Sequence, residues 1–84
     1  MAIHIKVDGT VNTEYNHKGL KQKQEAVGGY IEPVYLQDGR VALINEEGLL
    51  LELDMNEKAS EMTGYFLVGD VLILTQEEWS DESV

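Results

Sequence analysis

A small α+β domain, with short helices on a mostly antiparallel sheet, is the fold class this sequence predicts. Three observations carry that expectation. Apolar and polar residues alternate in several short runs, as half-buried strands require. Two Asp-Gly pairs, Asp8-Gly9 and Asp38-Gly39, stand between such runs, and glycine accepts the positive φ of a hairpin cheaply. Two polar, helix-like stretches end in glycine, at Gly28 and Gly64.

The elements follow in order. Ala2 to Val7 alternates Ile3, Ile5 and Val7 against His4 and Lys6, a half-buried strand. Thr10 to Tyr15 alternates again, with Val11, Thr13 and Tyr15 expected on one face, so the chain opens with a hairpin. Asn16 is a candidate cap for a helix over Lys18 to Val27. Its apolar stripe is thin, only Leu20 and Val27, so packing must hold it. Gly28 stops the helix and Gly29 permits a sharp turn or a close backbone approach. Tyr30 to Leu36 is a strand interrupted by Pro33, hence an edge strand or a bulged one. Arg40 to Ile44 is apolar on both faces, as a central strand is.

Asn45-Glu46-Glu47-Gly48 reads as a turn and Leu49 to Leu53 as a further apolar strand. Asp54 to Thr63 reads as a helix, with Asp54 and Glu57 at capping-box spacing. Tyr65 to Val68 and Val71 to Leu74 supply one or two last strands. The expected order is ββαβββαβ: one α+β domain over 1–75, then an acidic tail or short helix over 76–84. Eighty-four residues bury only ~60–65% of the surface the unfolded chain exposes. A homo-oligomer would bury more and is expected.

The formal charge is −10, from 16 acids and 6 bases, and it is unevenly spread. Residues 1–29 carry a net +1 and residues 30–84 a net −11. Such a surface repels nucleic acid and anionic membranes, and neither is an expected partner. It attracts basic protein surfaces, including sites that normally hold DNA; ordinary solubility is the commoner reason for such a charge. Without cysteine the chain has no disulfide, thiolate metal site or cysteine nucleophile. The first residues lack a signal-peptide shape, and no apolar run approaches the ~20 residues of a membrane helix, so a cytoplasmic protein is expected.

Catalytic motifs are missing. His4 and His17 are not at metal-ligand spacing and read as surface histidines. Ser60, Ser80 and Ser83 sit in no nucleophile elbow. Gly28-Gly29 ends a helix rather than opening one, so it is not a dinucleotide fingerprint. Glu46 and Glu47 fall short of a calcium loop and read as a solvated turn. No enzymatic activity, metal or cofactor is expected.

Glu25 through Glu32, Asn45-Glu46-Glu47-Gly48, Asn56 through Ala59, and Val68 through Ile73 stand as four blocks in order. Over roughly residues 20–75 they resemble a small domain family of unknown function, family 3846. Members of that family occur in phages, plasmids and gut bacterial genomes. The resemblance therefore implies a mobile-element accessory protein and brings no activity with it. The N-terminal hairpin and the acidic tail fall outside the resemblance.

Within these blocks Tyr30, Glu32, Asn45, Glu46 and Asn56 are polar or aromatic groups beside turns and helix starts. Asn45 and Asn56 serve local backbone groups on one reading. On the other the set is a ligand site: a nucleobase stacks on Tyr30, Asn and Glu hydrogen-bond it, and Lys18, Lys21 and Lys23 on the preceding helix meet phosphate. The leading expectation is a non-enzymatic protein that sequesters a small nucleotide-like signal to counter host defence. An acidic inhibitor or DNA mimic acting on a host DNA-handling or restriction enzyme is the alternative. A structural or regulatory domain is the third.

Overall fold

The computed structural model describes residues 2–80. Five strands form one antiparallel sheet in the order β2-β1-β5-β4-β3. These are β1 (Ala2–Ile5), β2 (Val11–Tyr15), β3 (Ile31–Tyr35), β4 (Val41–Asn45) and β5 (Val71–Leu74). The helices are α1 (Leu20–Val27), α2 (Glu57–Thr63) and α3 (Gln76–Ser80). The class is α+β. The two hairpins, β1-β2 and β3-β4, are not paired with each other; β5 enters between them and joins them. All four residues of β5 are buried.

Both hairpins turn through three residues, Val7-Asp8-Gly9 and Gln37-Asp38-Gly39. Lys6 N donates to Thr10 O and Leu36 N to Arg40 O, each at 2.9 Å. The aspartates fasten the turns: Asp8 Oδ1 accepts from Thr10 N at 2.8 Å and Asp38 Oδ1 from Arg40 N at 3.0 Å.

Alternation sorts the core into two layers. Ala2, Val41, Leu43, Leu72 and Leu74 face α1, meeting Ala26 and Val27, with Tyr15, Ile31 and Trp79 packed at the margin. Ile5, Ala42, Val71 and Ile73 face the other way, toward Ala59, Leu67 and Leu36. Val41 and Leu43 thus lie opposite Ala42 and Ile44, as a central strand demands.

The β2 face expectation is corrected. Ala2 pairs with Tyr15 and His4 with Asn12, so three residues of β2 span two of β1. This bulge turns Tyr15 onto the face of His4 and Asn12, away from Val11.

One expected strand is absent, and of the one or two last strands expected over Tyr65 to Leu74 one forms, β5. Leu49 to Leu53 is a coil of turns: Leu51 N donates to Glu47 O at 2.8 Å and Leu53 N to Gly48 O at 3.0 Å. An apolar run without alternation fits several states, and here β5 takes the central place in the sheet. Tyr65 to Val68 makes only one bridge, Met55 to Val68. The α1 helix begins at Leu20 with Gly19 at its N-cap. Asn16 instead accepts from Lys18 N, two residues on, at 3.1 Å. The cap of α2 is Asn56, not Asp54.

A reciprocal box starts α3: Thr75 N donates to Glu78 Oε1 at 2.8 Å and Glu78 N to Thr75 Oγ1 at 3.1 Å. The spacing Thr-x-x-Glu was readable in the sequence. The last acids of the tail, Asp81 and Glu82, lie outside the described residues.

Candidate functional site

The family-like blocks converge at one end of the sheet. Gly28 closes α1 in left-handed geometry, φ 78°, with its N–H on Gln24 O at 2.8 Å. Gly29 then passes directly over Asn45 at the end of β4. A Cβ on Gly29 would lie 2.8 Å from Asn45 Nδ2. Asn45 is nearly buried; its Nδ2 donates to Val27 O at 3.3 Å and its Oδ1 accepts from Glu47 N at 2.8 Å. The Gly-Gly block and the Asn-Glu-Glu-Gly block are therefore two halves of one contact. Glu46 N donates to Tyr30 O at 2.8 Å and extends it.

The other two blocks form a second lock. Asn56 is fully buried and donates from Nδ2 to Ile5 O and Gly69 O, each at 2.9 Å. Its Oδ1 accepts from Ala59 N at 3.0 Å and caps α2. Gly48 and Gly69 admit their neighbours: a Cβ would meet Val68 Cγ2 at 2.9 Å in the first case and Leu53 Cδ1 at 2.8 Å in the second. Asp70 Oδ1 accepts from Val7 N at 2.9 Å, tying the block to the first hairpin.

Two adjoining clefts open over these locks and share Gly28, Asn45 and Leu51. One, of about 230 Å³, runs between Gln24, Gly29, Tyr30 and Glu47. The other, of about 320 Å³, runs past Leu53, Asp54 and Asp70 to Val7. Tyr30 stands at the rim of the first with 67% of its surface exposed.

The expected site residues divide accordingly. Tyr30 and Asn45 share the smaller cleft, Tyr30 as an exposed ring and Asn45 as part of the floor. Lys21 is exposed on α1, three residues before Gln24 and so on the same helix face. Lys18 lies before the helix, and Lys23 is corrected as a phosphate contact because it is buried, its Nζ donating to His17 O at 2.7 Å. Glu46 is exposed at the end of β4, and Glu32 on β3 opposite Ile44; neither lines the cleft. Asn56 is withdrawn from any surface: it serves the core, because burial engages its oxygen and both amide hydrogens. Gln24, not singled out from the sequence, lines the cleft and stands half-buried. Its position one turn before the helix-stopping glycine was the available signal.

His4 corrects another expectation. It is buried, its Nε2–H donates to Ala26 O at 2.7 Å, and its ring lies 4.5 Å from that of Tyr15. Burial raises the Tyr15 phenol above its ordinary value, and the Glu25 charge adds to this. Ser60 is structural: its Oγ accepts from Leu67 N at 2.9 Å. Among the described residues no group of three or more acids and histidines converges to hold a metal, and no helix is long and apolar enough to cross a membrane.

No curated protein and no solved structure matches this chain. The family model of a domain of unknown function, DUF3846, matches residues 1–84, so the likeness extends over the first hairpin and the tail as well as residues 20–75. The locks just described account for the four blocks as architecture, and the chain belongs to the DUF3846 family.

Proposed function

We propose that the protein is a non-enzymatic binding module that sequesters a small nucleotide-like signalling molecule in the cleft beside Tyr30, as a mobile-element protein countering host defence would. The observation that carries this reading is the exposed Tyr30 ring beside a cleft whose floor is fixed by the Gly29–Asn45 contact. A base stacks on the ring, and aromatic stacking of this kind is worth ~1–3 kcal/mol per base. The Gln24 amide offers a donor and an acceptor to the base edge. Glu47 on the rim repels phosphate, so an anionic end lies toward Lys21. A homo-oligomer belongs to the same reading, with the exposed Met62 and Phe66 as apolar surface for it to cover.

Native mass spectrometry against a panel of mono-, di- and cyclic nucleotides tests it. The expected result is a discrete adduct that Tyr30→Ala abolishes and Lys21→Ala weakens. A protein that gains no mass with any of them would sink the reading. The same spectra give the number of chains per particle.

A further inference from the structure

We infer that the turn carrying Leu49, Leu50 and Leu51 docks into another protein, one that offers an apolar groove rimmed by lysine or arginine. The three leucines are 74%, 79% and 56% exposed, an apolar projection that a soluble surface seldom carries without use. They are consecutive, so no pleat or helix face buries one of them in exchange for another.

The turn is held rigidly. Leu51 N donates to Glu47 O, Glu52 N to Leu49 O and Leu53 N to Gly48 O, at 2.8, 3.1 and 3.0 Å. Gly48 is wedged against Val68, and Leu53 packs over Gly69. Glu52 holds φ 56°, the one non-glycine residue with positive φ among those described. A projection fixed in advance loses little conformational freedom on binding, which is the condition for an anchor side chain.

Charge identifies the occupant. Glu46, Glu47, Glu52, Asp54 and Glu57 flank the leucines, and residues 41–57 contain no lysine or arginine. A second copy presenting the same turn would set acid against acid, and an anionic membrane would be repelled likewise. A basic rim around an apolar groove satisfies both parts of the surface. Leu51 and Glu47 border the cleft beside Tyr30, but Leu49 and Leu50 do not, so the two most exposed leucines can be tested apart from the proposed ligand.

The test places a photoreactive benzoylphenylalanine at Leu50 in the full chain, expressed in its natural cells. The expected product joins the protein to one different protein, through a peptide that contains apolar residues and lysine or arginine. With that partner purified, Leu49→Ser should weaken binding by about tenfold or more, as loss of a docking anchor does. Neutralising Glu46, Glu47, Glu52 and Asp54 to their amides should weaken it and flatten its salt dependence. Tyr30→Ala should leave it unchanged, whatever happens to nucleotide binding. These side chains are exposed, so circular dichroism of each variant should match the parent and its Tm should not fall below the parent's. Adducts between two copies of the chain, adducts with no single partner, or binding indifferent to the acids would each overturn the inference.

Discussion

Gly28 and Gly29 are neighbours that are glycine for different reasons, and substitution separates the reasons. Gly28 has open space around its Cβ position, so Gly28→Ala meets only the strain of left-handed backbone, about 1–2 kcal/mol. Gly29→Ala meets the buried Asn45 amide and should cost about 1–3 kcal/mol through displaced packing. Asn45→Ala removes that obstacle, so the double variant at 29 and 45 should be less damaging than the sum by about 1 kcal/mol. Chemical denaturation of the four proteins measures the coupling, and simple additivity would contradict the contact. Asn56 is the more severe position. Asn56→Ala strips the α2 cap and takes from the Ile5 and Gly69 carbonyls the buried donor they share, an expected loss of about 3 kcal/mol or more. That is a large share of the stability of a domain this size, and the melting curve should show it.

At the scale of elements, Pro33 was readable as an edge residue, and the register gives the reason. Glu46 N bonds Tyr30 O and Leu36 N bonds Arg40 O, so the even positions of β3 exchange hydrogen bonds with β4. Position 33 therefore aims its backbone nitrogen outward, where proline removes a donor from the open edge. Pro33→Val should leave folding stability within about 0.5 kcal/mol while raising concentration-dependent association through the restored edge. Sedimentation velocity on the two proteins would show this, and unchanged association would argue that the edge is protected by other means. The leucine run at 49–53 is the opposite case. Its composition fits a buried strand, but Gly48 and the hydrogen bonds back to Glu47 and Gly48 curl it into a turn. Nothing local in Leu-Leu-Leu distinguishes these states.

Across the whole molecule, the net charge of −10 works against compactness. Added salt shortens the screening length to ~8–10 Å at 0.10–0.15 M and should raise Tm. A relief of about 1 kcal/mol corresponds to about 4–8 °C in a domain of this size. A Tm indifferent to salt would mean the acids are already spaced widely. Acid should act in the other direction through the hairpin turns. Hydrogen bonds from Thr10 hold the Asp8 carboxyl below its ordinary 3.8, and the Arg40 backbone N–H does the same for Asp38. A depressed folded pKa contributes stability above the unfolded value, and that contribution is lost as pH falls through the folded one. The Tm should therefore fall as pH drops from about 3.8 downward, less steeply in Asp8→Asn and Asp38→Asn, whose amides cannot take up the proton.

The sequence by itself determined what depends on neighbours along the chain. Asp-Gly turns, the helix stop at Gly28, the edge character of the strand with Pro33 and the two-sided strand at Val41–Asn45 all follow from backbone preference and local alternation. Only the tertiary structure decided which polar residues reach solvent. Asn45 and Asn56 have the same side chain and both stand beside turns, yet Asn45 floors a cleft and Asn56 is sealed inside the core. The difference comes from β5, which brings Gly69 and Ile5 to within hydrogen-bond reach of Asn56 from 13 and 51 residues away. It also claims the central place that Leu49–Leu53 would otherwise compete for, and so leaves three leucines at the surface. Pairing at such separation leaves no trace in a local pattern, because the contact is set by sheet order and not by spacing along the chain.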